Sequence, residues 1–127
     1  MSDVPVKVLV VEDDSEAAAA FASTLALCGY NVRVAADGRG AIDEARAFMP
    51  DVVVLDLGLP DRDGEEVAVE LRATLPVRAP IVVVTGRAVS QEEWLRAIDV
   101  VLRKPVEPNI FMTFISGAVA KRSTFND

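Results

Sequence analysis

The sequence has 127 residues, the usual length of one domain, and half of it is apolar with few aromatics, so an aliphatic core is available. A net charge of −7 and the absence of histidine argue against DNA or RNA as a direct partner, because phosphates are repelled; a basic protein or a divalent cation fits better. Cys28 is the only cysteine, which excludes an internal disulfide and a zinc site; no apolar run approaches bilayer length and Asp3 and Pro5 interrupt any signal peptide, so a soluble cytoplasmic protein is expected.

The elements are read in chain order from apolar periodicity. Val6 to Val11 reads as a buried strand. Ser15 to Leu27 reads as a helix, with Asp14 as its cap and Gly29 placed to end it. Cys28, at the end of that pattern, reads as a small core or boundary residue. Asn31 to Ala35 alternates, as an edge strand does. Gly40 to Phe48 reads as a second helix, stopped by Pro50. Val52 to Leu55 is a fully apolar strand, and Glu65 to Leu75 has helical spacing up to Pro76. Ile81 to Val84 is a fourth strand. Ser90 and Glu93 form a capping box that opens a short helix through Ala97. Val100 to Leu102 is a short fifth strand. Pro108 begins a last helix, on which Phe111, Met112, Phe114 and Ile115 cannot all share one buried face. The tail from Arg122 is polar and expected to fray. The alternation of strands and helices over residues 1–127 predicts a single α/β domain, a doubly wound parallel sheet covered on both faces.

Each buried strand is followed by a polar group. Glu12, Asp13 and Asp14 follow the first, Asp56 the third and Thr85 the fourth, and Lys104 lies just beyond the fifth. In a parallel sheet these ends share one edge, where doubly wound proteins bind ligands. Any one of these residues is an ordinary loop residue or cap; the combination is what carries weight. Carboxylates crowded at one edge must take up protons or bind a cation, and oxygen-only ligands select a hard ion such as Mg2+. An Asp carboxylate can attack phosphorus to give an aspartyl phosphate, with Thr85 and Lys104 available to the phosphoryl oxygens.

The blocks VLVVEDD, VVVLDLGLPDRDG, VVVTG and LRKP together resemble the receiver domain of bacterial two-component response regulators, over Lys7 to Lys121. The resemblance implies a flavodoxin-like (βα)5 fold with strand order 2-1-3-4-5, and phosphoryl transfer to Asp56 from a histidine kinase or histidine phosphotransfer protein. It implies that Asp13 and Asp56 ligate magnesium directly, Glu12 through water, and Gly58 by its backbone carbonyl. It also implies a cis Lys104–Pro105 bond that aims the lysine into the site, and a loop shaped by Pro60 and Gly64. Because Phe111, Met112, Phe114 and Ile115 cannot all be buried, the last helix, with the short helix before it and the fifth strand, offers a candidate partner or homodimer surface; the plainer reading is a flank left uncovered by that short helix.

The sequence departs from the family pattern in three places. Gly58 lacks the larger side chain often found two residues after the acceptor, which opens the phosphoryl group to water; Arg87 is the nearest candidate to shield it. The stretch between Thr85 and Lys104 is a few residues short. Val101 stands where an aromatic usually follows the movement of the Thr, so the changing surface is expected around Trp94 instead. Three alternatives stand beside this reading. A phosphorylation-independent interaction module of the same fold is weighed against the intact set of Glu12, Asp13, Asp56, Thr85 and Lys104. An aspartate-nucleophile phosphatase needs a second Asp where Gly58 stands. A flavin carrier is disfavoured because Glu12, Asp13 and Asp14 repel a flavin phosphate. No effector domain is expected after Asp127, so the segment reads as a stand-alone receiver or a piece of a longer regulator or hybrid kinase.

Overall fold

Runs of valine, leucine and isoleucine form the five strands of the computed structural model, which describes residues 4–76, 79–86 and 97–125. The strands are β1 (Lys7–Val11), β2 (Asn31–Ala35), β3 (Val52–Leu55), β4 (Ile81–Thr85) and β5 (Val100–Arg103). All pair in parallel, in the order β2-β1-β3-β4-β5. The alternating strand β2 is at an edge, as its half-polar pattern requires.

Four helices are described: α1 (Ser15–Leu27), α2 (Gly38–Phe48), α3 (Gly64–Thr74) and α4 (Pro108–Phe125). The period-two geometry of the strands divides the apolar residues between two layers. Leu9, Val11, Val53, Leu55, Ile81 and Val83 pack with Ile42, Ala45, Val67 and Leu71 of α2 and α3. Val8, Val10, Val52, Val54, Val82 and Val84 pack with Leu25 of α1 and Phe111 and Ile115 of α4. Strands buried on both faces need no polar positions, which is why β1, β3 and β4 read as continuous apolar runs. Each fully buried valine or leucine contributes about 1.5–3 kcal/mol, so truncation of Leu71 to Ala is expected to cost about 2–5 kcal/mol.

Several predicted boundaries move by one or two residues, within the usual uncertainty of helix and strand ends. Helix α2 starts at Gly38 rather than Gly40, because carboxylates of Asp37 and Asp61 accept its first free N–H groups. Helix α3 starts at Gly64, with Asp63 as N-cap. Helix α4 runs on to Phe125, past the point where a frayed tail was expected. On that helix Phe111 and Ile115 are buried, whereas Ile110 and Phe114 are exposed. Of the two readings, core or boundary, Cys28 takes the boundary one: it is exposed at the C-cap of α1, where Gly29 follows with a φ of 92°. The short helix predicted from Ser90, with Trp94, lies outside the described residues except for Ala97, which is buried. Among the described residues no helix is long and apolar enough to cross a membrane.

Candidate functional site

Sheet order and register assemble the site. Strand β1 lies between β2 and β3, so consecutive connections leave it on opposite sides and a crevice opens at its carboxyl end. Val11 is level with Leu55, which sets Glu12 and Asp13 beside Asp56. The backbone holds this placement, since Asp56 N donates to the carbonyl of Val11 at 2.9 Å and Glu12 N to that of Ala35 at 3.0 Å. On the other side Thr85 is level with Arg103, and Lys104 N donates to the Thr85 carbonyl at 2.8 Å.

Glu12 is buried, Asp56 half-buried and Asp13 exposed. One carboxylate oxygen from each lies within 4.8 Å of the others. Lys104 reaches into this group: its Nζ is 2.6 Å from Glu12 Oε1 and 3.5 Å from Asp56 Oδ2. Glu12 Oε2 also accepts the Asp14 N–H at 3.2 Å, so both oxygens of Glu12 have partners. Burial pushes the Glu12 carboxyl up from its ordinary range; the Lys104 ammonium opposes that push and Asp56 reinforces it. Burial pulls Lys104 the other way, but its hydrogen bond to Glu12 and the charge of Asp56 outweigh burial and hold the ammonium above its ordinary value.

Three carboxylates thus meet one ammonium. The donors are all oxygens, with no imidazole or thiolate, and Asp13 leaves the group open to solvent. This donor set fits a hard divalent cation.

Thr85 is buried at the end of β4, on the same edge. The Lys104–Pro105 bond is cis, as expected. Gly58 is exposed, and its N–H donates to Asp56 Oδ1 at 3.2 Å. Val101 is half-buried in β5, level with Val83 and packed on the layer of α2 and α3; it is not part of the charged group. Arg87 lies outside the described residues.

Sequence reading missed Asp61. Both its carboxylate oxygens accept backbone N–H groups at the start of α2, from Gly38 at 2.8 Å and Arg39 at 3.1 Å. The hydrogen bond from Gly38 is the main reason its carboxyl is held below the ordinary range. The available signal was an Asp after Pro60 in a tight loop, but the helix it caps begins 23 residues earlier in the chain, and no local pattern reaches that far.

Comparison with known proteins agrees with this geometry. The model of the response regulator receiver domain matches residues 8–116. The chain is 35% identical over 120 residues to the transcriptional regulatory protein KdpE of Mycobacterium tuberculosis, which covers 91% of this chain and 52% of that protein. It is 43% identical over 84 residues to the response regulator MprA of Mycolicibacterium vanbaalenii, covering 66% of this chain and 36% of that protein. The chain therefore spans about half, or less, of the curated relatives it matches. A CheY-like receiver domain from Methanospirillum hungatei superimposes with a TM-score of 0.88 at 23% identity, over 95% of this chain and 98% of that one, a likeness of fold. One from Methylobacillus flagellatus gives 0.80 at 27% identity, over 91% and 99%. By sequence and by fold, the chain belongs to the response regulator receiver domain family.

Proposed function

We propose that the chain is a phosphoacceptor switch of a two-component system, in which Asp56 takes a phosphoryl group from a histidine kinase or a histidine phosphotransfer protein. One observation carries the reading: Glu12, Asp13 and Asp56 share the carboxyl edge of the sheet with Lys104. Asp13, Asp56 and the Gly58 carbonyl are the proposed direct ligands of Mg2+, and Glu12 acts through water. When bound, magnesium supplies neutralisation of the charge that otherwise keeps a phosphoryl group from a carboxylate. An Asp56 oxygen then forms the bond to phosphorus as the bond to the donor's imidazole nitrogen breaks, its electron pair returning to the ring. Thr85 and Lys104 receive phosphoryl oxygens by hydrogen bond and charge. Lys104 is already within reach, 3.5 Å from Asp56.

The proposal treats residues 1–127 as one receiver domain acting in the cytoplasm, where an unpaired thiol such as that of Cys28 persists. A homodimer through β5 and α4 forms part of it, supported by the exposure of Ile110 and Phe114 one turn apart.

Incubation with acetyl phosphate and Mg2+, followed by intact mass, tests the reading. Wild type is expected to gain about 80 Da, the mass of one phosphoryl group, and Asp56→Asn to gain nothing. An equal gain in the variant removes Asp56 from the role. No gain in wild type favours a phosphorylation-independent interaction module.

A further inference from the structure

The loop Leu57–Asp63 leaves β3 directly after Asp56 and returns into α3 at Gly64. Its base is closed by a contact that only glycine allows: a Cβ on Gly64 would lie 2.4 Å from Leu57 Cα and 2.5 Å from the Leu57 carbonyl oxygen. Leu57 itself is buried. In the outer part Leu59 packs against the layer of α2 and α3, whereas Gly58, Pro60 and Asp61 are all exposed. Gly58 has no side chain to pack, and its backbone freedom is the widest of any residue in the loop. Its N–H reaches Asp56 Oδ1 at 3.2 Å, and its position otherwise depends on how the rest of the loop is held.

The tip of the loop is tied on two sides. Arg62 pairs with Glu70 of α3 at 2.6 Å, an ion pair about one-third exposed on each side. Asp61, three residues after Gly58, crosses to α2 and takes the N–H groups of Gly38 and Arg39 with its two oxygens. The amino end of a helix favours such a negative charge. Helix α2 already has its own N-cap in Asp37, which accepts from Gly40 at 2.7 Å. Asp61 is thus the cap that comes from the acceptor loop, and it joins that loop to a second element.

We infer that Asp61 is a positioning residue that anchors the acceptor loop to the amino end of α2, keeps Gly58 in place beside Asp56, and thereby raises the affinity of the site for magnesium. The magnesium part rests on the function proposed above; the anchoring of Gly58 does not. Asp37 supplies the control, since its removal weakens the same helix end without releasing the loop.

Wild type, Asp61→Ala, Asp61→Asn and Asp37→Ala are compared by amide-resolved NMR, first for hydrogen exchange at Gly58 without metal and then in a titration with MgCl2. Asp61→Ala is expected to speed Gly58 exchange and to weaken magnesium binding by roughly tenfold, the scale of losing a residue that orients a ligand. Asp61→Asn retains one acceptor oxygen and is expected to fall between; if the alanine variant does not fold, it carries the comparison. Asp37→Ala is expected to lower the melting temperature and change neither readout. Unchanged exchange and affinity on removal of the Asp61 carboxylate overturn the inference, as do equal effects in Asp37→Ala, which assign the loss to the helix cap. A wild type that does not respond to MgCl2 counts against the metal reading, and Gly58 exchange alone then decides the anchoring.

Discussion

The two edges of the sheet are both charged, but they use charge differently. At the amino edge, Arg72 of α3 donates to the carbonyl of Ala79 at 2.7 Å, to that of Ala97 at 3.2 Å and to Asp99 at 2.8 Å. Asp99 also accepts the N–H of Ile81, the first residue of β4, at 2.8 Å. Nearby, Lys7 N donates to Asp51 and Lys7 Nζ to the Phe48 carbonyl, each at 2.9 Å. Among the described residues two cations there match two carboxylates, and their hydrogen bonds tie strand starts to helices. At the carboxyl edge, among the described residues, the cluster of three carboxylates faces one cation. A satisfied edge holds the fold; an edge left with excess negative charge attracts a ligand. The comparison predicts that stability and ligand binding respond to different residues.

The largest expected effect is on the amino edge. Arg72→Ala removes at least the three hydrogen bonds described above, two of them to backbone carbonyls, and is expected to destabilise the fold by about 2 kcal/mol. The ion pair with Asp99 is 25% and 41% exposed, so it adds little to that figure. Urea denaturation measures the loss, and a parallel magnesium titration at low urea is expected to match wild type. A marked fall in magnesium affinity would break the division between the edges, since it would show the site depending on the opposite end of β4 and β5.

The second prediction divides the carboxyl edge itself. Asp13 is exposed and no hydrogen bond at the site occupies its oxygens in the way that Lys104 and the Asp14 N–H occupy those of Glu12. Asp13→Asn is therefore expected to lose most of the magnesium affinity and to raise metal-free stability by up to about 0.5 kcal/mol, because one of three like charges is gone. Glu12→Gln is expected to keep more of the magnesium affinity and to lower stability, because the buried partner of Lys104 is lost. Calorimetric titration and thermal melting of both variants check the crossover. Equal losses of affinity would remove the distinction between a direct ligand and one acting through water.

The same contrast explains what was legible in the sequence. The runs Val8–Val11, Val52–Leu55 and Ile81–Val84 are continuous because both faces are buried, and that made the parallel sheet readable. The gathering of Glu12, Asp13, Asp56, Thr85 and Lys104 at one edge was readable because each lies at or just beyond the end of a strand, and the sheet brings those ends together without knowledge of side-chain contacts. Links that cross between distant segments left no local mark. Asp61 on α2 and Arg72 on the turn before β5 are both ordinary surface-type residues in sequence, and tertiary placement alone gives them roles. Cys28 stayed open between core and boundary for a related reason: an apolar helix pattern does not reveal where the next turn leaves the core.

The smallest predicted effect concerns how long a phosphoryl group stays on Asp56, and it asks whether the carboxyl edge is open to water as well as to metal. Among the described residues, a Cβ built on Gly58 would meet only the two Asp56 carboxylate oxygens, each at 3.9 Å. Among the described residues Gly29 is the glycine with positive φ, so Gly58 can carry a side chain without backbone strain. Attack by water on an aspartyl phosphate must come in line with the bond to Asp56. A side chain at position 58 would stand beside that approach, and Gly58→Met is expected to lengthen the phosphoryl lifetime by roughly threefold, about 0.6 kcal/mol in barrier. Gly58→Ala, which adds only the methyl group, is expected to do less. Loss of phosphoprotein with time, followed by intact mass after removal of acetyl phosphate, measures both. The extent of phosphorylation should stay near wild type, because the N–H that Gly58 donates to Asp56 and the carbonyl in its proposed role both belong to the backbone and survive the substitution. A lifetime that is unchanged or shorter in Gly58→Met would mean that the openness at position 58 does not set water access.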